Sequence, residues 1–193
     1  MRALVLYAHP NPESYGAALH SAVLEALKAA GHEIDDCDLY AEGFNPVLSR
    51  AERAVYHAVP ENTLTVASDV ARLRRAEILV IVSPVWNFGW PAILKGYIDR
   101  VFLPGVSFVI ENGRVSGALT HIQHLVVVTT YGADRWRAWL MGDPPRKVVT
   151  RMLRGVIGLR TPVTYLAHYD MNRSTPASRT AFLARVRKKL GAT

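Results

Sequence analysis

The stretch Glu77-Ile-Leu-Val-Ile-Val-Ser83, followed at once by Pro84-Val-Trp-Asn-Phe-Gly-Trp-Pro91, decides how the chain is read. A short unbroken apolar run rich in β-branched residues, stopped by a proline, predicts a strand buried on both faces, as in a parallel sheet. Two more such runs are Ala3–Ala8 (ALVLYA) and Leu125–Thr130 (LVVVTT). A fourth strand is predicted over 162–168. A more polar one over Glu33–Leu39, whose only strong hydrophobes are Ile34 and Leu39, suits a sheet edge.

Helical spacing fills the gaps between these runs. Leu19, Val23, Leu24 and Leu27 recur every three or four residues, predicting a helix over 16–30 that ends at Gly31. Further helices are predicted over 50–57, 63–75, 91–102, 135–141, 145–155 and 176–190, with Pro60 separating the first two. Val106–Gly117 reads as a hairpin turning at Asn112-Gly113. Strand–helix alternation of this kind predicts an α/β fold, a doubly wound five-stranded parallel sheet with helices on both faces. With no linker or repeat, the 193 residues are read as a single domain, 1–193.

Composition excludes several function classes. One cysteine, Cys37, forms no internal disulfide, and no apolar run reaches the roughly 18–20 residues that span a bilayer. A cytoplasmic protein without membrane insertion is the expectation. The net charge of +7 is uneven, at −4 over residues 1–99 and +11 over residues 100–193. No recognition-helix or RNP-like pattern accompanies the basic half, so no nucleic-acid partner is expected. No zinc spacing appears either. His121-Ile-Gln-His124 has no acidic or thiol companion nearby in sequence, and no metal is assigned.

In doubly wound sheets ligands bind beyond the carboxyl ends of the strands. The first such loop is His9-Pro-Asn-Pro-Glu-Ser-Tyr-Gly16. It contains neither GxGxxG nor GxxxxGKS/T, yet it offers a histidine, the Ser14 hydroxyl and amides at a helix start, groups that suit a phosphate. A helix capped by Ser14 explains it equally well. The second loop, Pro84–Pro91, sets two tryptophans and a phenylalanine between prolines. That favours a planar heterocycle, or else a loop packed beneath a helix or against a second chain. The third, Thr129-Thr-Tyr-Gly-Ala-Asp134, offers hydroxyls and a glycine.

On these residues the chain resembles the flavodoxin-like NAD(P)H:quinone oxidoreductases. The resemblance is carried by Ala8-His-Pro10 with Ser14-Tyr-Gly16, by Asp38–Arg50 (DLYAEGFNPVLSR), by Pro84–Phe102 and by Ser174–Arg179 (STPASR). It implies a flavin, FAD or FMN, with NAD(P)H as co-substrate, and two-electron, ping-pong hydride transfer to a quinone or similar acceptor. By the same resemblance His9, Ser14, Tyr15 and Gly16 hold the pyrophosphate and ribityl portion. Pro84, Val85, Trp86, Asn87 and Phe88 line one edge of the ring, and Thr129, Thr130, Tyr131 and Gly132 the other. Arg179 reaches the adenylate end, and a homodimer is implied.

Mammalian members carry a tyrosine and a histidine after the third loop. Ala133–Asp143 is shorter and has neither, with Met141 where the histidine stands, so no catalytic side chain is assigned. Other family activities remain open: azo- or nitro-reduction, or service as an ancillary subunit of a potassium-efflux system. Arg135, Arg137, Arg146, Lys147, Arg151 and Arg154 follow the third loop, where they would draw a phosphate-bearing nicotinamide cofactor or an anionic acceptor.

Overall fold

The computed structural model describes residues 1–192 of the chain, so Thr193 lies outside the described residues. Strands β1 (Arg2–Tyr7), β2 (Glu33–Asp38) and β3 (Ile78–Val85) alternate with helices α1 (Tyr15–Ala29), α2 (Arg50–Ala54) and α3 (Ala67–Arg75). Helix α4 (Ala92–Val101) leads to a hairpin of β4 (Phe108–Glu111) and β5 (Arg114–Gly117), then to β6 (His124–Tyr131). Short helices α5 (Arg135–Leu140), α6 (Pro144–Lys147) and α7 (Arg154–Ile157) precede β7 (Val163–His168) and α8 (Pro176–Leu190).

Five strands pair in parallel, as the sequence predicts, with the polar β2 at one edge; their order is β2-β1-β3-β6-β7. The continuous apolar runs divide by period two between two layers. Leu4, Leu6, Leu79, Ile81, Leu125 and Val127 pack with α3 and α4, whereas Val5, Val80, Val82, Val126 and Val128 pack with α1 and α8. No described helix is long and apolar enough to cross a membrane.

Departures from the predicted helices have local causes. The segment read as 63–75 opens with a 3-10 stretch, Glu61–Val66, before α3. Helix α2 ends at Ala54 rather than 57. It buries no residue and is held by a capping box in which Ser49 and Glu52 exchange backbone and side-chain bonds. Glu52 also pairs with Arg100 of α4. Burial opposes the Glu52 charge, but the Ser49 amide and hydroxyl, Arg100 and Thr65 outweigh it and hold the pKa at about 2.

The helix read over 145–155 is three pieces, because Val148–Leu153 forms π turns between α6 and α7. Val149, Leu153 and Ile157 are all buried. At 3.6 residues per turn a stripe spaced by four drifts by about 40° per step, and wider turns keep it facing the sheet. The hairpin forms as read, with positive φ at Asn112 and Gly113.

At the β2 edge, Arg72 bridges Asp35 and Glu42, each at 2.7 Å. The run Asp35–Asp38, which reads as solvated, therefore turns part of itself inward. Cys37 is wholly buried, with its Sγ 3.8 Å from Glu42 Oε2, and the ligand atoms of Cys37, Glu42 and Asp69 lie within 4.8 Å of one another.

Gly96 sets how closely α4 approaches the Asp38–Arg50 segment. A Cβ there would lie 2.3 Å from the Pro46 carbonyl oxygen and 2.5 Å from Pro46 Cα, backbone that cannot rotate aside. Gly96→Ala is therefore expected to destabilise the fold by about 1–3 kcal/mol, the range of overpacking substitutions, read as a lower urea midpoint at unchanged slope.

Candidate functional site

The strand order reverses between β1 and β3: β1 is followed by β2 on one side and by β3 on the other. The loops leaving these two strands diverge there and open a crevice. The first loop is fastened by its own polar groups. Asn11 N–H donates to His9 Nδ1 at 3.0 Å, Glu13 N–H donates to Asn11 Oδ1 at 2.8 Å, and Ser14 Oγ caps α1 by accepting from Ala17 N–H at 3.1 Å. Burial lowers the pKa of His9. With Nδ1 accepting, the neutral ring carries its proton on Nε2 and offers it outward. A Cβ on Gly16 would come within 3.2 Å of the His9 ring, so glycine allows this close packing.

The second loop is a two-residue reversal. Trp86 N–H donates to Gly89 O at 3.0 Å and Gly89 N–H donates to Trp86 O at 2.8 Å, while Asn87 (φ 49°) and Phe88 (φ 55°) lie in the left-handed region. Positive φ at both central residues is the type I′ requirement, easy for asparagine and costly for phenylalanine. The His9 and Trp86 rings meet edge-on at 5.9 Å, joining the first loop to the second.

The third loop follows β6, whose Thr129, Thr130 and Tyr131 pair with Ser83, Pro84 and Val85. Val85, Asn87, Phe88, Tyr131, Gly132 and Arg137 line a concave pocket of about 370 Å³, together with Ala133 and Asn172. Among the described residues, no hydrogen bond occupies the amides of Asn87, Phe88, Gly132 or Ala133. Two loops thus bring four residues with free amides to one hollow.

The residues named from sequence divide into three groups. Val85, Asn87, Phe88, Tyr131 and Gly132 line the pocket; His9, Ser14, Gly16 and Trp86 are not in its lining, and the first loop meets the second where the His9 and Trp86 rings touch. Pro84 is buried, and its carbonyl accepts from Ser83 Oγ at 3.1 Å. Thr129 is buried with an unpartnered hydroxyl, and Thr130 is partly exposed at the strand end. Two others turn elsewhere. Tyr15 donates its hydroxyl to Arg179 O at 2.8 Å, and burial raises its pKa to about 12, so the side chain ties α1 to α8. The Arg179 guanidinium donates to Ser174 Oγ at 2.9 Å.

Asn172 escapes the sequence reading, and Ala133, within the third loop, is not named there as a site residue. The loop after β7, reversed by a left-handed Asp170, carries Asn172 to the pocket, and only the Tyr-Asp-Met-Asn run after a predicted strand hints at it.

Behind the pocket, Tyr131 donates to Asp143 Oδ1 at 2.6 Å, and its hydroxyl lies 2.5 Å from that of Tyr165. Its ring lies 4.6 Å from that of Tyr169. Burial, then the neighbouring Tyr165 and Asp143, push the Tyr131 phenol far up, so it stays protonated.

A family model described as flavodoxin-like fold matches residues 1–190. The chain belongs to that family. The flavodoxin-like chain is 34% identical to an uncharacterized NAD(P)H oxidoreductase of Haemophilus influenzae over 132 residues, 67% of this chain and 64% of that protein. It is 32% identical to NAD(P)H dehydrogenase (quinone) 1 of Rattus norvegicus over 148 residues, 68% of this chain and 54% of that protein. The matched stretch thus spans between about half and two thirds of these relatives' length. Among solved structures, an NAD(P)H:quinone oxidoreductase of Methanothermobacter marburgensis superposes with a TM-score of 0.84 at 26% identity, covering 99% of this chain and 98% of that one.

Tyr131→Phe removes the hydroxyl that joins Asp143 and Tyr165 and leaves both short of a partner. A loss of about 1–2 kcal/mol in folding stability is expected from thermal melts, with the pocket backbone unchanged in amide spectra.

Proposed function

We propose that the pocket binds a flavin, FAD or FMN, and that the protein is an NAD(P)H oxidoreductase for quinones or similar acceptors. The observation that carries this is the donor set: four free backbone amides, from the loops after β3 and β6, around one hollow beside exposed aromatic surface. A flat ring with a polar, carbonyl-bearing edge matches such donors, and negative charge arising on that edge is stabilised by them as in an oxyanion hole. Relatives whose names state NAD(P)H and quinone chemistry support the same reading.

When bound, the flavin supplies the two-electron chemistry, accepting hydride from NAD(P)H and passing it to the acceptor. The chain's own groups bind and orient. The His9 Nε2–H and the α1 amides of Tyr15 and Gly16 suit the phosphate portion. Asn87, Phe88, Gly132 and Ala133 direct amides to the ring edge, and the half-exposed Trp86 flanks the entrance. No described side chain is placed as an obligatory acid or base, and the Tyr131 phenol holds its proton against Asp143.

We read the assembly as a homodimer. Gly89, Trp90, Ile98, Pro145, Val148 and Met152 line an apolar groove beside the second loop, which a second copy would cover. Sedimentation is expected at twice the 21.4 kDa chain mass, and a monomer at micromolar concentration would refute it.

Heat release of the bound group followed by chromatography should yield FAD or FMN. Rapid anaerobic mixing of the loaded protein with NADH or NADPH should bleach the flavin within seconds, and failure with both would exclude the reductase reading.

A further inference from the structure

A second concavity lies across α5 from the ring pocket. Arg135, Arg146, Lys147 and Arg151 line it together with Trp139 and Tyr169, in a volume of about 370 Å³. That is within the roughly 300–1,000 Å³ usual for small-ligand sites. Among the described residues, none of these four cations has a carboxylate partner within ion-pair distance. The ion pairs among the described residues involve other arginines, lysines or histidines. The one carboxylate in the lining, Asp143, already accepts from Tyr131.

Two features make this a shaped site rather than a solvated basic face. Arg146 lies over the Tyr165 ring at 5.4 Å, so its guanidinium is held by an aromatic surface. A smaller adjoining hollow adds Arg185 of α8 beside the same Arg135 and Arg146. Trp139 supplies the second kind of contact. It stacks on Trp136 at 4.8 Å and 24°, yet stays 65% exposed, leaving a flat aromatic wall open to the pocket.

Clustered unpaired cations next to an open indole suit a purine nucleotide that carries phosphates. The pocket also has a structural tie to the ring site. Tyr131 lines the ring pocket while its hydroxyl bonds Asp143 in the second, and α5 contributes Arg137 to one and Arg135 with Trp139 to the other. One helix, about 10–12 Å across with its side chains, separates them.

We infer that the pocket formed by Arg135, Arg146, Lys147, Arg151 and Trp139 binds the phosphorylated adenosine end of the reductant, and so selects NADPH over NADH. This rests on the flavin reading of the ring pocket and adds to it a specificity site. The 2′-phosphate meets the cations, and adenine stacks on Trp139. Such binding weakens as salt screens the charges.

The probe is adenosine 2′,5′-bisphosphate, titrated calorimetrically and by tryptophan fluorescence. Saturable binding is expected, with quenching that disappears in Trp139→Leu and affinity that falls with ionic strength. The exposed pair Lys147→Ala/Arg151→Ala should lose at least about tenfold in affinity. Lys28→Ala, at the far end of α1, removes one positive charge away from the pocket and should change nothing. Affinity for plain adenosine equal to that for the bisphosphate, or no loss in the double variant, would overturn the inference. Inorganic phosphate competing at the bisphosphate's own concentration would also overturn it, by showing a simple anion site. The titration needs no flavin. Protein that binds the bisphosphate but carries no flavin refutes the reductase reading alone, and flavin-loaded protein bleached by NADH that ignores the bisphosphate refutes this inference alone.

Discussion

The central strands β1, β3 and β6 are covered on both faces, and the rest of the molecule follows from that constraint. A strand enclosed by two layers of helices makes a polar side chain without a partner costly, and the unpartnered Thr129 hydroxyl lies near the carboxyl end of β6. Leu4, Val5, Leu79, Val80, Val126 and Val127 satisfy it by being apolar throughout. Polar chemistry is thereby confined to where the strands end. At the carboxyl ends the backbone must turn away from the sheet, and amides released from the ladder have no strand left to bond. The four free amides beside the pocket after β3 and β6 are therefore a product of the sheet's own termination.

The loops differ in how they meet that condition. The first satisfies itself locally, by Asn11 and Ser14 accepting neighbouring amides. The second closes a two-residue turn and accepts strained φ at Phe88. The third is braced from behind, where Tyr131, Asp143, Tyr165 and Tyr169 form a polar and aromatic wall shared with the basic pocket. A pocket held this way keeps its donors in place before a ligand arrives, which lowers the entropic cost of binding.

Much of this was legible in the sequence, because unbroken apolar runs and helical spacing both report burial directly. Strand positions, the polar β2 edge, the hairpin at Asn112-Gly113 and the three loops all follow from such patterns. What pattern does not carry is direction. Tyr15 sits in the right loop, yet its hydroxyl crosses to Arg179 O. Arg179 turns to Ser174. Asn172 enters the pocket from a fourth loop because β7 pairs beside β6, and strand order is a tertiary fact. The π turns at 148–153 were hidden for a related reason, since a spacing of four fits two helix types and packing against the sheet chooses between them. Asp35 and Cys37 look like parts of a polar edge until Arg72 of α3 reaches across to them.

That edge gives the chain a built-in reporter. Cys37 is the only thiol, it is wholly enclosed between β2 and α3, and burial beside Glu42 and Asp69 holds its pKa well above the usual thiol range. A thiolate is what alkylating reagents and disulfide-forming oxidants attack, so burial and the raised pKa shield Cys37 from both in the folded protein at neutral pH. Labelling of Cys37 requires this edge to open, by β2 or α3 moving away, and its rate measures how often that happens.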